Sequence, residues 1–253
     1  FAAHTDEFFT TARVEPQQPA RHLTKNLNQK IGQIKADTLH MGNLSLDEYL
    51  QAPESYSQSF VVVHRGEVVY EQYPRMQSGD SHVWMSAAKI TASLLVDLLI
   101  EEGRINEDQP IGDYLPAFRG TPTADVPIKD VLAMSTGLNT EENDASRSNP
   151  DSIVIRMFLA EFGMPYQGRV ESLIDVLRSA KLSSQPGESF QYSSATTQLL
   201  VLLAEAVEAK PWQDIFAERV WAKLGVEQAI QLHQSPDGIV AAHGLISSTL
   251  RDL

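Results

Sequence analysis

Residues 84–89 read Trp-Met-Ser-Ala-Ala-Lys and carry the only S-x-x-K spacing in the chain. They open the most apolar helix that the sequence predicts, with a stripe formed by Ile90, Leu94, Leu95, Leu98 and Leu99. Because residues three apart lie on one face of a helix, Lys89 can reach the hydroxyl of Ser86. The partial positive charge of a helix N-terminus favours an alkoxide at Ser86 and an uncharged amine at Lys89, which can then act as a general base. Taken alone, the spacing fits a helix-capping serine followed by a solvated lysine better, because chance gives roughly one S-x-x-K in a chain of this size.

Around this helix, the sequence predicts a hairpin on one side and more helices on the other. Two β-branched runs, at residues 60–64 and 67–73, flank an Arg-Gly turn. Before the hairpin, residues 1–54 are polar, and we expect them to wrap over the core with little structure beyond a helix capped by Ser45 and Glu48. After the Ser86 helix, apolar periodicity and Gly or Pro breaks predict helices near residues 128–134, 152–161, 169–180, 195–209 and 212–224.

Composition excludes several classes of function. The 253 residues include 20 Lys and Arg against 33 Asp and Glu, a net charge of −13 that argues against nucleic acid or an anionic membrane as the main partner. The absence of cysteine excludes disulfides and thiolate metal sites. The histidines lack metal-ligand spacing, and no phosphate-binding loop or G-x-S-x-G motif occurs. We therefore expect a soluble globular protein without metal or cofactor. Its compartment is left open: cytoplasmic, or periplasmic or secreted after removal of a signal.

Six ordered landmarks together resemble one family, the serine β-lactamase and penicillin-binding protein superfamily, on the branch with class C β-lactamases, esterases and 6-aminohexanoate-dimer hydrolase. The landmarks are the hairpin at 60–73, the pair Ser86 and Lys89, and the segments 113–116 (Asp-Tyr-Leu-Pro), 134–138 (Met-Ser-Thr-Gly-Leu), 186–194 (Pro-Gly to Tyr-Ser-Ser) and 244–253. The resemblance implies an α+β fold with an antiparallel sheet flanked by helices. The resemblance covers about residues 55–253, since the wrapping segment at 1–54 is expected from its polar sequence alone. Within that range we expect two sheet strands in 55–80, a mostly helical part at 81–240 that holds the site, and a return toward the sheet at 241–253.

The resemblance also implies roles for individual residues. Ser86 is then the nucleophile, Lys89 its activating partner, and Tyr192 a second acid and base that serves the leaving group. We expect their side-chain polar atoms to converge within roughly 2.6–3.5 Å, with Ser86 in the first turn of a helix running to about Glu102. Ser194, with Trp84 a candidate substrate-binding residue, stands where many family members carry Asn. A hydroxyl is shorter than the Asn amide, which favours a small ester or amide substrate over a β-lactam.

Two expectations concern the end of the chain and the outcome of the reaction. In the family a third motif, such as Lys-Thr-Gly, lies on a strand that lines the site. No such motif precedes Leu253, so we expect the natural chain to continue by something like 100 residues. The favoured function is a serine hydrolase with an acyl-enzyme on Ser86. The alternative is a penicillin-recognising sensor domain that acylates without turnover, and the oligomeric state is left open.

Overall fold

The computed structural model describes residues 9–253, and its strands are short. They are β1 (Thr11–Val14), β2 (Thr24–Lys25), β3 (Lys35–Thr38), β4 (Gly42–Ser45), β5 (Phe60–His64), β6 (Glu67–Gln72), β7 (His82–Val83), β8 (Ile230–His233) and β9 (Ile246–Ser248). The hairpin predicted around Arg65 and Gly66 is confirmed as β5 and β6, which pair antiparallel with one irregularity between Val62 and Val63.

Helices fill most of the chain between β7 and β8. The helices of the whole described range are α1 (Leu46–Gln51), α2 (Lys89–Glu101), α3 (Ile128–Leu132), α4 (Asp144–Ser148), α5 (Ile153–Glu161), α6 (Leu173–Arg178), α7 (Ser194–Glu208), α8 (Trp212–Phe216) and α9 (Ala222–Leu224). A π-helical turn at Ala217–Trp221 joins α8 to α9, so they form the single helix predicted for 212–224. Helix α6 begins later than predicted, because Ser172 caps it by accepting a hydrogen bond from the Asp175 N–H. Within residues 9–253, no helix combines the length and the apolar character needed to cross a membrane.

The strands of residues 9–253 form three sheets. The largest has the order β1-β8-β9-β7 and is antiparallel throughout, as the sequence predicts. A second sheet has the order β2-β6-β5, in which β2 runs parallel to β6, and β3 pairs with β4 alone. Strands β7 and β8 lie within the part expected to be mostly helical. Their pairing with β9 brings the start of α2 next to the segment that follows β8.

The expectation that residues 1–54 have little structure is wrong for residues 9–54. Strand β1 adds an edge to the largest sheet, and β2 adds one to the hairpin sheet. These edge strands are held by backbone hydrogen bonds, which leave little signature in a polar sequence. The predicted capping box is confirmed: Ser45 Oγ accepts from the Glu48 N–H, and the Glu48 carboxylate accepts from the Ser45 N–H at 2.8 Å. Residues 1–8 lie outside the described range.

The core is centred on the packing of α2 against α7. Every residue from 194 to 204 in α7 is buried, including the polar residues Ser194, Thr196, Thr197 and Gln198. On α2, the predicted apolar stripe is partly wrong, since Ile90 and Leu94 are 64% and 42% exposed. The buried face of α2 consists of Thr91, Ala92, Leu95, Val96 and Leu99. Helix α2 is apolar on most sides, so its periodicity does not identify which face is covered.

Candidate active site

A strained turn presents Ser86 to solvent. Ser86 is exposed in a 3-10 turn, Met85–Ala88, that continues directly into α2, where the Lys89 N–H donates to the Ser86 carbonyl. The predicted position of Ser86 at the start of this helix is confirmed, although its first turn is 3-10 rather than α. Met85 has a φ of +50°. This left-handed conformation costs a non-glycine residue about 1–3 kcal/mol and has to be held by its surroundings.

Trp84 supplies one such constraint. Its backbone N–H donates to the Ile246 carbonyl at 2.8 Å, which extends the β7–β9 pairing by one hydrogen bond. Its indole Nε1–H donates to Ser248 Oγ at 2.9 Å. The ring is therefore half-buried and fixed two residues before Ser86.

Ser86, Lys89 and Tyr192 converge as the sequence predicts. The Tyr192 hydroxyl donates to Ser86 Oγ at 2.6 Å, and Lys89 Nζ donates to the same oxygen at 3.3 Å. Lys89 Nζ also lies 4.9 Å from the centre of the Tyr192 ring. The serine oxygen thus has two proton-carrying neighbours within hydrogen-bonding distance, the geometry that general acid–base catalysis needs.

Two of the sequence landmarks meet where Tyr192 is held. The Gln191 N–H donates to the Met134 carbonyl at 2.7 Å, and the Gly187 N–H donates to the Ser135 carbonyl at 2.8 Å. Segment 134–138 therefore runs beside segment 186–194. Gly137 permits a close approach to the chain just before segment 186–194, since a Cβ there would lie 2.4 Å from the Ser184 carbonyl oxygen.

The residues after Tyr192 anchor the start of α7. Ser193 Oγ caps the helix by accepting from the Thr196 N–H and itself donates to Thr140 Oγ1 at 3.0 Å. Ser194 is 2% exposed, and its N–H donates to the Glu142 carboxylate at 2.7 Å. The structure therefore places Ser194 next to Tyr192 but does not bring its hydroxyl to the open side of the site.

Glu142 is a charged neighbour of the site that no sequence motif marks. Burial raises the pKa of Glu142, but hydrogen bonds from Ser194 and Arg147 and the positive charge of Lys89 outweigh burial and hold the pKa below the ordinary value of 4.5. The Glu142 N–H also donates to the Tyr192 carbonyl at 2.8 Å. The Glu142 main chain therefore supports Tyr192, and its ionised carboxylate supports the N-terminus of α7.

Two exposed apolar side chains stand close to Ser86 and Tyr192 in the sequence. Met85, directly before Ser86, is 54% exposed, and Phe190, two residues before Tyr192, is 67% exposed. Behind the serine, the His243 carbonyl accepts a second hydrogen bond from Lys89 Nζ at 2.7 Å. His243 itself is buried, with 6% of its surface exposed, and its Nε2 lies 2.9 Å from a carboxylate oxygen of Glu161.

Comparisons with known proteins match the fold and most of the chain. A 6-aminohexanoate-dimer hydrolase from Paenarthrobacter ureafaciens is 26% identical over 252 residues, which are 99% of this chain and 61% of that protein. Among solved structures, a 6-aminohexanoate-dimer hydrolase homologue from Bacillus anthracis superposes with a TM-score of 0.86 at 23% identity, covering 99% of this chain and 65% of that one. A class C β-lactamase from Rhodobacter sphaeroides has a TM-score of 0.52 at 19% identity, covering 77% of this chain and 57% of that one.

The chain thus spans less than two thirds of the length of these relatives. The sequence model of the Beta-lactamase family matches residues 46–253, which contain Ser86, Lys89 and Tyr192. The family and the β-lactamase-like fold predicted from the ordered landmarks are both confirmed. The chain belongs to the Beta-lactamase family.

Proposed function

We propose that this protein is a serine hydrolase that cleaves an ester or amide through an acyl-enzyme on Ser86. The observation that carries the proposal is the convergence of Tyr192 Oη and Lys89 Nζ on Ser86 Oγ at 2.6 and 3.3 Å. The names of its relatives, which include a 6-aminohexanoate-dimer hydrolase, give independent support for hydrolysis.

In the proposed acylation, Ser86 Oγ attacks the substrate carbonyl and Lys89, as the free amine, takes the serine proton. The Ser86 N–H, at the positive end of α2, helps to stabilise the oxyanion of the tetrahedral intermediate. Tyr192 gives its proton to the leaving alcohol or amine as the scissile bond breaks, and the Lys89 ammonium then returns a proton to Tyr192. The net result moves one proton from Ser86 to the leaving group.

Deacylation repeats these steps with water as the nucleophile. Water adds to the ester carbonyl of the acyl-enzyme, and its proton passes through the same two groups to Ser86 Oγ, which leaves. The product is a carboxylic acid, and the enzyme regains its starting protonation.

We further propose that the substrate carries an apolar group beside the scissile bond. Met85 and Phe190 provide exposed apolar surface next to Ser86 and Tyr192 in sequence, and the fixed Trp84 ring adds a rigid wall. Ser194 cannot replace the amide of Asn at its position, because its backbone and side chain bond to Glu142. We therefore expect short-chain esters and linear amides to be better substrates than β-lactams.

Covalent labelling tests the proposal. A fluorophosphonate should label the wild type at Ser86, and Ser86→Ala should abolish labelling. Ser93→Ala is a matched control, because Ser93 lies two turns further along the same helix with its hydroxyl on the Ile90 carbonyl, and it should label like the wild type. Wild-type protein that stays unlabelled would refute the nucleophile.

A chromogenic ester distinguishes the enzyme from the sensor alternative. Steady release of the chromophore over many equivalents supports hydrolysis. Release of one equivalent per protein chain, followed by a stop, would instead identify a domain that acylates without turnover.

A further inference from the structure

A buried carboxylate–imidazole pair lies behind the site and has no part in the proposed chemistry. Glu161, the last residue of α5, is 3% exposed and His243 is 6% exposed. His243 Nε2 lies 2.9 and 3.0 Å from the two carboxylate oxygens. Removing a carboxylate and an imidazole from water costs several kcal/mol unless the two groups are hydrogen-bonded to each other. Because even a paired carboxylate and imidazole gain little net stability from burial, the position of this pair calls for a reason other than stability.

The pair connects to the site through the main chain of His243. The carbonyl of this residue accepts from Lys89 Nζ at 2.7 Å, a shorter hydrogen bond than the 3.3 Å from Nζ to Ser86 Oγ. The peptide belongs to a tight turn, in which the N–H groups of Gly244 and Leu245 both donate to the Ala241 carbonyl. The His243 side chain therefore anchors to α5 the same residue that holds the lysine amine.

A lysine needs such an anchor to act on one atom. Its ammonium or amine sits on a flexible four-carbon stem that samples many rotamers in water, and fixing it costs about 2 kcal/mol of side-chain entropy. A carbonyl that is itself free to move would fix the amine poorly. A carbonyl on a turn that is attached to the buried carboxylate–imidazole pair offers the amine an acceptor at a constant place.

We propose that the Glu161–His243 pair is a positioning device for Lys89: it fixes the turn whose carbonyl directs the amine toward Ser86. The inference rests on the proposed function, since it takes Lys89 as the group that activates Ser86. Glu161 and His243 act here as positioning residues and touch no reacting atom.

The chain offers a matched control pair on the same helix. Arg156, also in α5, binds the Glu171 carboxylate through two hydrogen bonds of 2.7 and 2.8 Å, and both side chains are largely buried. None of the hydrogen bonds of this pair reaches Lys89 or the 241–245 turn. Loss of the control pair should lower stability without affecting the chemical step.

The experiment measures kcat and KM with a chromogenic ester and the rate of fluorophosphonate labelling. Glu161→Ala should lower kcat and the labelling rate by about 100-fold with KM changed less than about threefold, because a misplacement near 1 Å costs about that much in rate. Glu161→Gln keeps an oxygen acceptor for the imidazole N–H and should recover the rate to within about tenfold of the wild type. Glu171→Gln should leave kcat unchanged while lowering the urea midpoint.

A second variant covers the case in which Glu161→Ala does not fold. The double variant Glu161→Leu with His243→Phe replaces the pair by apolar groups, which often preserves stability, and it retains the main-chain carbonyl at 243. It should fold and still lose kcat. A folded variant lacking the pair that keeps wild-type kcat and labelling rate would overturn the positioning role while leaving Ser86 as nucleophile. Failure of the wild type to label would overturn both proposals.

Discussion

Replacing Tyr192 with Phe removes a single oxygen atom from the centre of the proposed machinery. The deleted hydroxyl donates to Ser86 Oγ at 2.6 Å. The ring stays, so the 4.9 Å contact with Lys89 Nζ stays too, as do the main-chain hydrogen bonds of Gln191 and of the Tyr192 carbonyl. The change therefore tests proton transfer with little effect on the fold.

A positioned acid–base group contributes about 10²–10⁴-fold in rate, so Tyr192→Phe should lower kcat/KM by that factor, or about 3–5 kcal/mol of barrier. Ser86, Lys89 and Tyr192 act on one proton path. The double variant Lys89→Ala with Tyr192→Phe should therefore lose far less kcat/KM than the product of the two single losses. A loss in the double variant equal to that product would show that the two groups act independently.

The assay is steady-state hydrolysis of a chromogenic short-chain ester, with circular dichroism to check folding. The control is Tyr166→Phe, which deletes the same atom from a phenol that donates to Asp151 at 2.9 Å. Its kcat/KM should match that of the wild type. If folded Tyr192→Phe stays within threefold of the wild type, Tyr192 has no role in proton transfer and the mechanism fails.

The remaining predictions concern stability. Leu95 is fully buried in α2, so Leu95→Ala should lower the free energy of unfolding, measured in urea, by about 2–5 kcal/mol. Leu224 is 52% exposed, so Leu224→Ala should lower it by well under about 1 kcal/mol. Equal effects would contradict the assignment of the core. The pKa of Glu142 is lowered below 4.5 in the folded protein, so its stabilising contribution is present above that pH and is lost as the pH falls through the folded pKa. Between pH 5 and 3, the free energy of unfolding of Glu142→Gln should therefore fall less steeply with pH than that of the wild type. Identical slopes would refute a contribution of Glu142 ionisation to stability.

The parts of the site that the sequence predicts are those that depend on local geometry. Ser86 and Lys89 are three residues apart, so helix geometry alone brings them together. Tyr192 lies 106 positions from Ser86, and only the order of family landmarks indicates it. Glu161 and His243 are 82 positions apart, and neither stands in a pattern that distinguishes it from any other buried polar residue.

The errors in the fold have related physical causes. Strands β1 and β2 are stabilised by backbone pairing to β8 and β6, which any polar sequence can make, so no apolar alternation indicates them. Ile90 and Leu94 belong to a helix with apolar residues on most faces. The hydrophobic pattern predicts that this helix exists but does not determine its rotation in the core.

The hydrogen bond between the Trp84 N–H and the Ile246 carbonyl has a mechanical consequence. Ser86 lies two residues beyond its donor, and His243 lies three residues before its acceptor. Ser86 and the His243 carbonyl, which accepts from Lys89, are thus both close in sequence to residues joined by this hydrogen bond. If β7 and β9 move together, Ser86 Oγ and the His243 carbonyl are displaced in the same direction. The distance between these two oxygens then changes less than the position of either oxygen. We therefore expect the geometry at Ser86 to be less sensitive to small motions of the sheet than the positions of β7 and β9 themselves.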